Sequence, residues 1–111
     1  MSVYRTSTQN FKRDVLQSPV PVLVDFYADW CGPCRMLSPV LERLALEFSG
    51  KVRIVKVNVD DDPALANQYR VSSIPSLAFI ADGEVVAQSA GAASEHSLRR
   101  ALTQLSTGAA T

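Results

Sequence analysis

The run Val20-Pro-Val-Leu-Val-Asp-Phe-Tyr27 is apolar throughout apart from Pro21 and Asp25. A continuously apolar strand suits a position covered on both faces, as in a parallel sheet packed between helices. From Cys31 the periodicity changes. Met36, Leu37, Val40, Leu41, Leu44, Ala45 and Phe48 recur at steps of one, three and four, which is an amphipathic helical stripe read here as core, Met36 included. Gly50 supplies a stop, and Pro39 is expected to kink the helix against the Arg35 carbonyl. Val52-Arg-Ile-Val-Lys-Val-Asn-Val59 is rich in β-branched residues and reads as a second strand. Strand, long helix, strand is a crossover connection, so the two strands are expected to be parallel.

The remaining elements fit around that unit. Val3–Arg5 reads as a short edge strand. Asn10–Leu16 reads as a short helix with Thr8 or Asn10 as cap and Phe11 and Val15 inward, ended at Ser18-Pro19. Asp62-Pro63 opens a helix to about Tyr69, with Asp62 as cap. Ser76–Ala81 and Glu84–Ser89 form a hairpin around Asp82-Gly83. Ser94 caps a last helix carrying Leu98, Ala101, Leu102 and Leu105 on one face, and residues 106–111 read as a flexible tail. The order β-α-β-α-β-α-β-β-α predicts an α/β fold, a mixed sheet of about five strands flanked by about four helices. At 111 residues, 47% of them hydrophobic, the chain has material for one domain with one core.

Charge and hydropathy remove some functions. Eleven Lys and Arg balance eleven Asp and Glu, without the basic excess that phosphate neutralisation requires, so no nucleic-acid partner is expected. No apolar run approaches the roughly 20 residues of a membrane helix, and the first ten residues lack the apolar core of a secretory signal. A cytoplasmic protein with no membrane partner, working as a monomer, is the expectation.

The chemistry resides in the two cysteines, Cys31 and Cys34. A bridge across so short a ring stabilises a fold by only about 2 kcal/mol on the chain-entropy model, against nearly 5 for a hundred-residue loop, so the spacing suits exchange better than stapling. Structural zinc wants four ligands. One cysteine pair and a single histidine, His96, do not supply them. An iron–sulfur cluster also wants four thiolates, which only two chains together could provide. His96 is read as solvent-facing, and Asp60, Asp61 and Asp62 as surface and capping residues rather than a cation site. No metal and no separate cofactor is expected.

Element order and motif together resemble the thioredoxin family over essentially the whole chain. The matching residues are Val24-Asp25-Phe26, Ala28, Trp30-Cys31-Gly32-Pro33-Cys34, Pro39, Lys56, Asp60, Ile74-Pro75, Gly83 and Gly91. Tyr27 departs from the family's frequent Trp, Ser76 from its Thr, and Ala90 from a larger apolar residue. The resemblance implies a thioredoxin fold and protein disulfide reduction, with disulfide-containing proteins as substrates and an external thioredoxin reductase to restore the dithiol. Oxidase or isomerase chemistry on the same scaffold, or a non-catalytic subunit, are the alternatives.

Within that reading each residue has a physical task. Cys31 stands at the start of the long helix, where free amide N–H groups and the dipole favour a thiolate by up to about 2 kcal/mol, enough to bring a free thiol towards ambient pH. It is expected to attack the substrate disulfide. Cys34, one turn further and less exposed, is expected to resolve the mixed disulfide. Asp25 interrupts an apolar strand, and burial there would raise its pKa and suit it to take the Cys34 proton, unless it reaches solvent at a strand end. Gly32 and Pro33 tune the pair, and by resemblance Lys56 lies near Asp25 and modulates its charge. The resemblance also implies a cis bond at Ile74–Pro75 facing the cysteines. Trp30, Gly32, Pro33, Ile74, Pro75, Gly91 and Ala92 would then form a flat apolar surface for substrate.

Overall fold

The computed structural model describes residues 3–91 and 93–108. Five strands, β1 (Val3–Arg5), β2 (Val22–Tyr27), β3 (Arg53–Asn58), β4 (Ser76–Ala81) and β5 (Glu84–Ala90), form one sheet in the order β1-β3-β2-β4-β5. The helices are α1 (Gly32–Glu47), α2 (Pro63–Gln68) and α3 (Glu95–Thr107), with one π turn at Lys12–Leu16. β1, β3 and β2 run parallel, as the strand-helix-strand pattern predicts, whereas β4 is antiparallel to both β2 and β5.

Period-two alternation sorts the strand side chains onto the two faces. Leu23, Ile54, Leu77 and Phe79 face α1 and α3, where they pack against Leu37, Leu41, Leu44, Leu98, Leu102 and Leu105. Val22, Val24, Phe26, Val55, Val57, Ala78 and Ile80 face the other way, onto Phe11 and Val15 of the π turn and Leu65 and Ala66 of α2. Both faces of β2 are therefore covered, which is why its sequence does not alternate. Each aliphatic side chain so buried contributes about 1.5–3 kcal/mol.

Several local expectations give way to tertiary partners. Met36 is 80% exposed and not core. It precedes Leu37 by one position, about 100° round the helix, while Leu37, Leu41, Leu44 and Phe48 share the buried side. α1 carries Pro39 inside it and ends at Glu47, with Phe48 as its C-cap, so Gly50 (φ +79°), expected to be the stop, lies two residues beyond the cap. Neither Thr8 nor Asn10 caps the π turn, whose Phe11 cap makes no side-chain bond. Asp62 occupies the cap position of α2 without capping it. Its Oδ1 instead accepts from Thr8 N and Oγ1 at 3.0 and 2.8 Å, tying the two connections together. The π turn is anchored from β3, where Arg53 Nη1 donates to the Asp14 carbonyl at 2.8 Å.

Ser94 does cap α3, accepting from Ser97 N at 3.1 Å, and Gly108 closes that helix in the left-handed region. Ser106 and Thr107, assigned from the sequence to a tail, are its last residues; residues 109–111 lie outside those described. In the β4–β5 turn Asp82 and Gly83 both have positive φ, +52° and +79°, the geometry that a two-residue hairpin loop needs. A Cβ on Gly83 would lie 3.2 Å from the Leu16 carbonyl oxygen. Gly83→Ala is thus expected to cost about 1–2 kcal/mol through the left-handed conformation alone, read as a lower midpoint in urea unfolding at unchanged m-value.

Candidate active site

The site forms where β2 ends, β4 begins and α1 starts. Cys31 is the N-cap of α1, with φ −85° and ψ 110°, and its Sγ accepts from Cys34 N at 3.2 Å. Pro33 in the first turn forfeits an N–H that has no helical partner there. The two sulfur atoms are joined as a disulfide, with the Cα atoms 5.2 Å apart. Both cysteines are 4% exposed, so Cys34 is not the more hidden of the two in this oxidised form. They pack with Tyr27 and Ala28, flanked by Val59 and Ile74.

Asp25 lies in the middle of β2 and is 2% exposed, which removes the alternative of a strand-end carboxyl in water. By strand alternation it shares the α1 side of the sheet with Leu23 and Tyr27. Its Oδ1 has no hydrogen-bond partner. Burial pushes its pKa up to about 7, and the Lys56 ammonium opposes that rise. Lys56 is the register partner of Asp25 on β3. A cleft of 390 Å³ opens beside Cys34, lined also by Tyr27, Asp29, Arg35 and Lys56.

On the other side of the disulfide the peptide bond Ile74–Pro75 is cis. Trp30 is 68% exposed, and its Nε1 donates to Asp60 Oδ2 at 2.8 Å; Asp60 N in turn donates to Asn58 Oδ1 at 2.9 Å. Trp30 and Ile74 line a groove of 390 Å³ with Val59 and Val71. Gly91 N donates to the Pro75 carbonyl at 2.8 Å, which draws the end of β5 to this region.

The Thioredoxin family model matches residues 2–104. The thioredoxin 1 of Synechococcus elongatus is 47% identical over 103 residues, covering 92% of this chain and 96% of that protein. The chain belongs to the thioredoxin family. The thioredoxin of Haemophilus influenzae is also 47% identical, over 92% of this chain and 95% of its own length. Thioredoxin C-2 of Corynebacterium nephridii is 47% identical over 93% and 95%. The protein is accordingly a thiol-disulfide oxidoreductase acting as a dithiol-disulfide reductase, and its redox group is its own Cys31–Cys34 pair.

Of the residues singled out from the sequence, Cys31, Cys34, Gly32 and Pro33 lie together at the start of α1. Asp25 and Lys56 lie beneath on neighbouring strands, and Trp30 and Ile74 line one groove. Pro75 is buried where the same face was expected to present it, and Gly91 is half-buried. Ala92 lies outside the described residues. His96 is exposed. Among the described residues no three His, Cys, Asp or Glu side chains gather as metal ligands, and no helix is long and apolar enough to cross a membrane. Asp60 and Asp61 have other partners, Trp30 and Arg5. The sequence reading missed Asp60 as the fastener of Trp30 and Tyr27 as a neighbour of Lys56. Tyr27 carried one signal, its shared strand parity with Asp25.

Proposed function

We propose that Cys31 is the attacking sulfur and Cys34 the resolving one. In the reduced protein the Cys31 thiolate attacks a substrate disulfide, forming a mixed disulfide and expelling the first substrate thiolate. Cys34 then loses its proton to the Asp25 carboxylate and attacks Cys31 Sγ. The Cys31–Cys34 bond forms, the mixed disulfide breaks, and the second substrate thiolate leaves, so two electrons pass to the substrate. An external thioredoxin reductase supplies two electrons to restore the dithiol. The observation that carries this assignment is the Cys34 N–H donated to Cys31 Sγ at the cap of α1, since an amide aimed at a sulfur stabilises it as an anion.

The rest of the site fits that sequence of steps. A carboxyl pushed up to about 7 is present in both protonation states near neutrality, which a proton acceptor that must reset in each cycle requires. Gly32 and Pro33 hold the turn, and Lys56 biases Asp25. Trp30 and Ile74, which line one groove, receive an extended segment of a disulfide-containing protein, and Gly91 N holds the Pro75 carbonyl next to Ile74. A monomer working in the cytoplasm, in electron transport and thiol balance, matches a dithiol that must be continually re-reduced.

Cys34→Ser tests the order of attack. Mixed with an oxidised protein substrate, it is expected to accumulate an adduct linked through Cys31, visible by intact mass and reversed by dithiothreitol. An adduct that forms instead on Cys34 of the Cys31→Ser variant would reverse the assignment.

A further inference from the structure

Asp25 has a lysine as its register neighbour on β3, on the same face of the sheet, yet its Oδ1 is unpartnered. None of the ion pairs among the described residues involves it. The lysine's charge is engaged elsewhere. Lys56 Nζ sits 4.3 Å from the centre of the Tyr27 ring, within the range of an attractive cation–π contact. Tyr27 is two residues beyond Asp25 on the same strand and is itself buried, in one cluster with both cysteines. The ring is therefore fixed, whereas a lysine side chain on its own is not.

We propose that Tyr27 is a positioning residue whose ring parks the Lys56 ammonium and keeps it from pairing with the Asp25 carboxyl. The proposal rests on the reading of Asp25 as the proton acceptor. A direct Lys56–Asp25 pair would hold the carboxyl ionised across the neutral range and leave it unable to carry the Cys34 proton. Parked on the ring, the ammonium still acts on Asp25, but less strongly than burial does. Asp29 and Arg35 also line the cleft, and Arg5 also lies over the Tyr27 ring. Arg35 donates to the Asp29 carbonyl at 2.7 Å, and Arg5, 5.8 Å from the Tyr27 ring centre, pairs with Asp61 at 3.8 Å. From β4 the register partner of Asp25 is the apolar Leu77, and Cys34 does not titrate while bonded to Cys31.

The test is the Asp25 carboxyl midpoint, followed by carbon NMR in the oxidised protein, where neither cysteine titrates. Tyr27→Leu frees the ammonium, and the midpoint is expected to fall by roughly 0.3–1 pH unit, the range a cation–π contact can hold back. Tyr27→Phe keeps the ring and is expected to leave the midpoint in place. Lys56→Met is expected to raise it, and in that background Tyr27→Leu is expected to have no further effect. Tyr27→Met, which keeps more of the volume, takes the place of Tyr27→Leu should the latter not fold. A midpoint that stays or rises in the ring-less variant, or that falls equally without Lys56, overturns the proposal and leaves the role of Asp25 untouched. If the midpoint shifts as expected while the pH profile of mixed-disulfide resolution stays put, the ring's role stands and Asp25 is not the acceptor.

Discussion

Cys31→Ser is expected to lower the rate of insulin disulfide reduction by at least ~10³-fold, to the level of the chemical reductant alone. A hydroxyl neither ionises near neutrality nor forms a stable bond to the substrate sulfur, so the first step disappears and nothing downstream can compensate. The fold should survive, because serine can also accept the Cys34 N–H that Cys31 Sγ now receives at 3.2 Å and serine is a favoured N-cap. Circular dichroism reports that survival, and the turbidity of reduced insulin reports the loss. Turnover within tenfold of the unmutated protein would mean that the pair is not the reacting group.

Asp25→Asn is expected to change stability and rate in opposite senses. A carboxyl raised from 3.8 to about 7 in the folded state keeps its proton at pH values where the unfolded chain has lost it. Below pH 3.8 both states are protonated and the aspartate costs nothing. Between pH 3.8 and 7 the folded state binds more protons, so stability falls as pH rises. Above 7 the cost is complete, about 4 kcal/mol. The amide never ionises. Urea unfolding should therefore give the variant and the unmutated protein similar midpoints near pH 3.5, and a variant more stable by up to about 4 kcal/mol at pH 8. Over the same neutral range the variant should resolve mixed disulfides more slowly while initial attack by Cys31 persists. Equal stabilities at pH 8 would show that the buried carboxyl is not held out of its ionised form.

Much of this was visible in the chain because the strongest constraints are local. β2 is apolar on both sides since helices cover both, and the change of period at Cys31 marks where α1 begins. Asp82-Gly83 reads as a turn because few other residues accept two positive φ values in succession. What escaped depends on partners distant in sequence. Asp62 abandons its cap for Thr8, 54 residues earlier, a pairing created by the sheet order. Met36 differs from Leu37 in facing alone, and hydrophobicity does not encode facing at a helix's first turns. Within the site, the cysteine motif could be read directly from its spacing and neighbours. The Lys56 contact with Tyr27 could not, since it follows from the β2–β3 register and the direction one flexible side chain takes.

β2 and β4 lie inside the sheet, with β1 and β5 outside them. The reacting turn leaves the end of β2, and the cis proline precedes β4, so both rest on the strands whose amides should exchange with solvent last. The edge strand β1 can fray and re-form without disturbing the reach between the sulfurs and the proline, whereas the end of β5 is tied to Pro75 through Gly91 N.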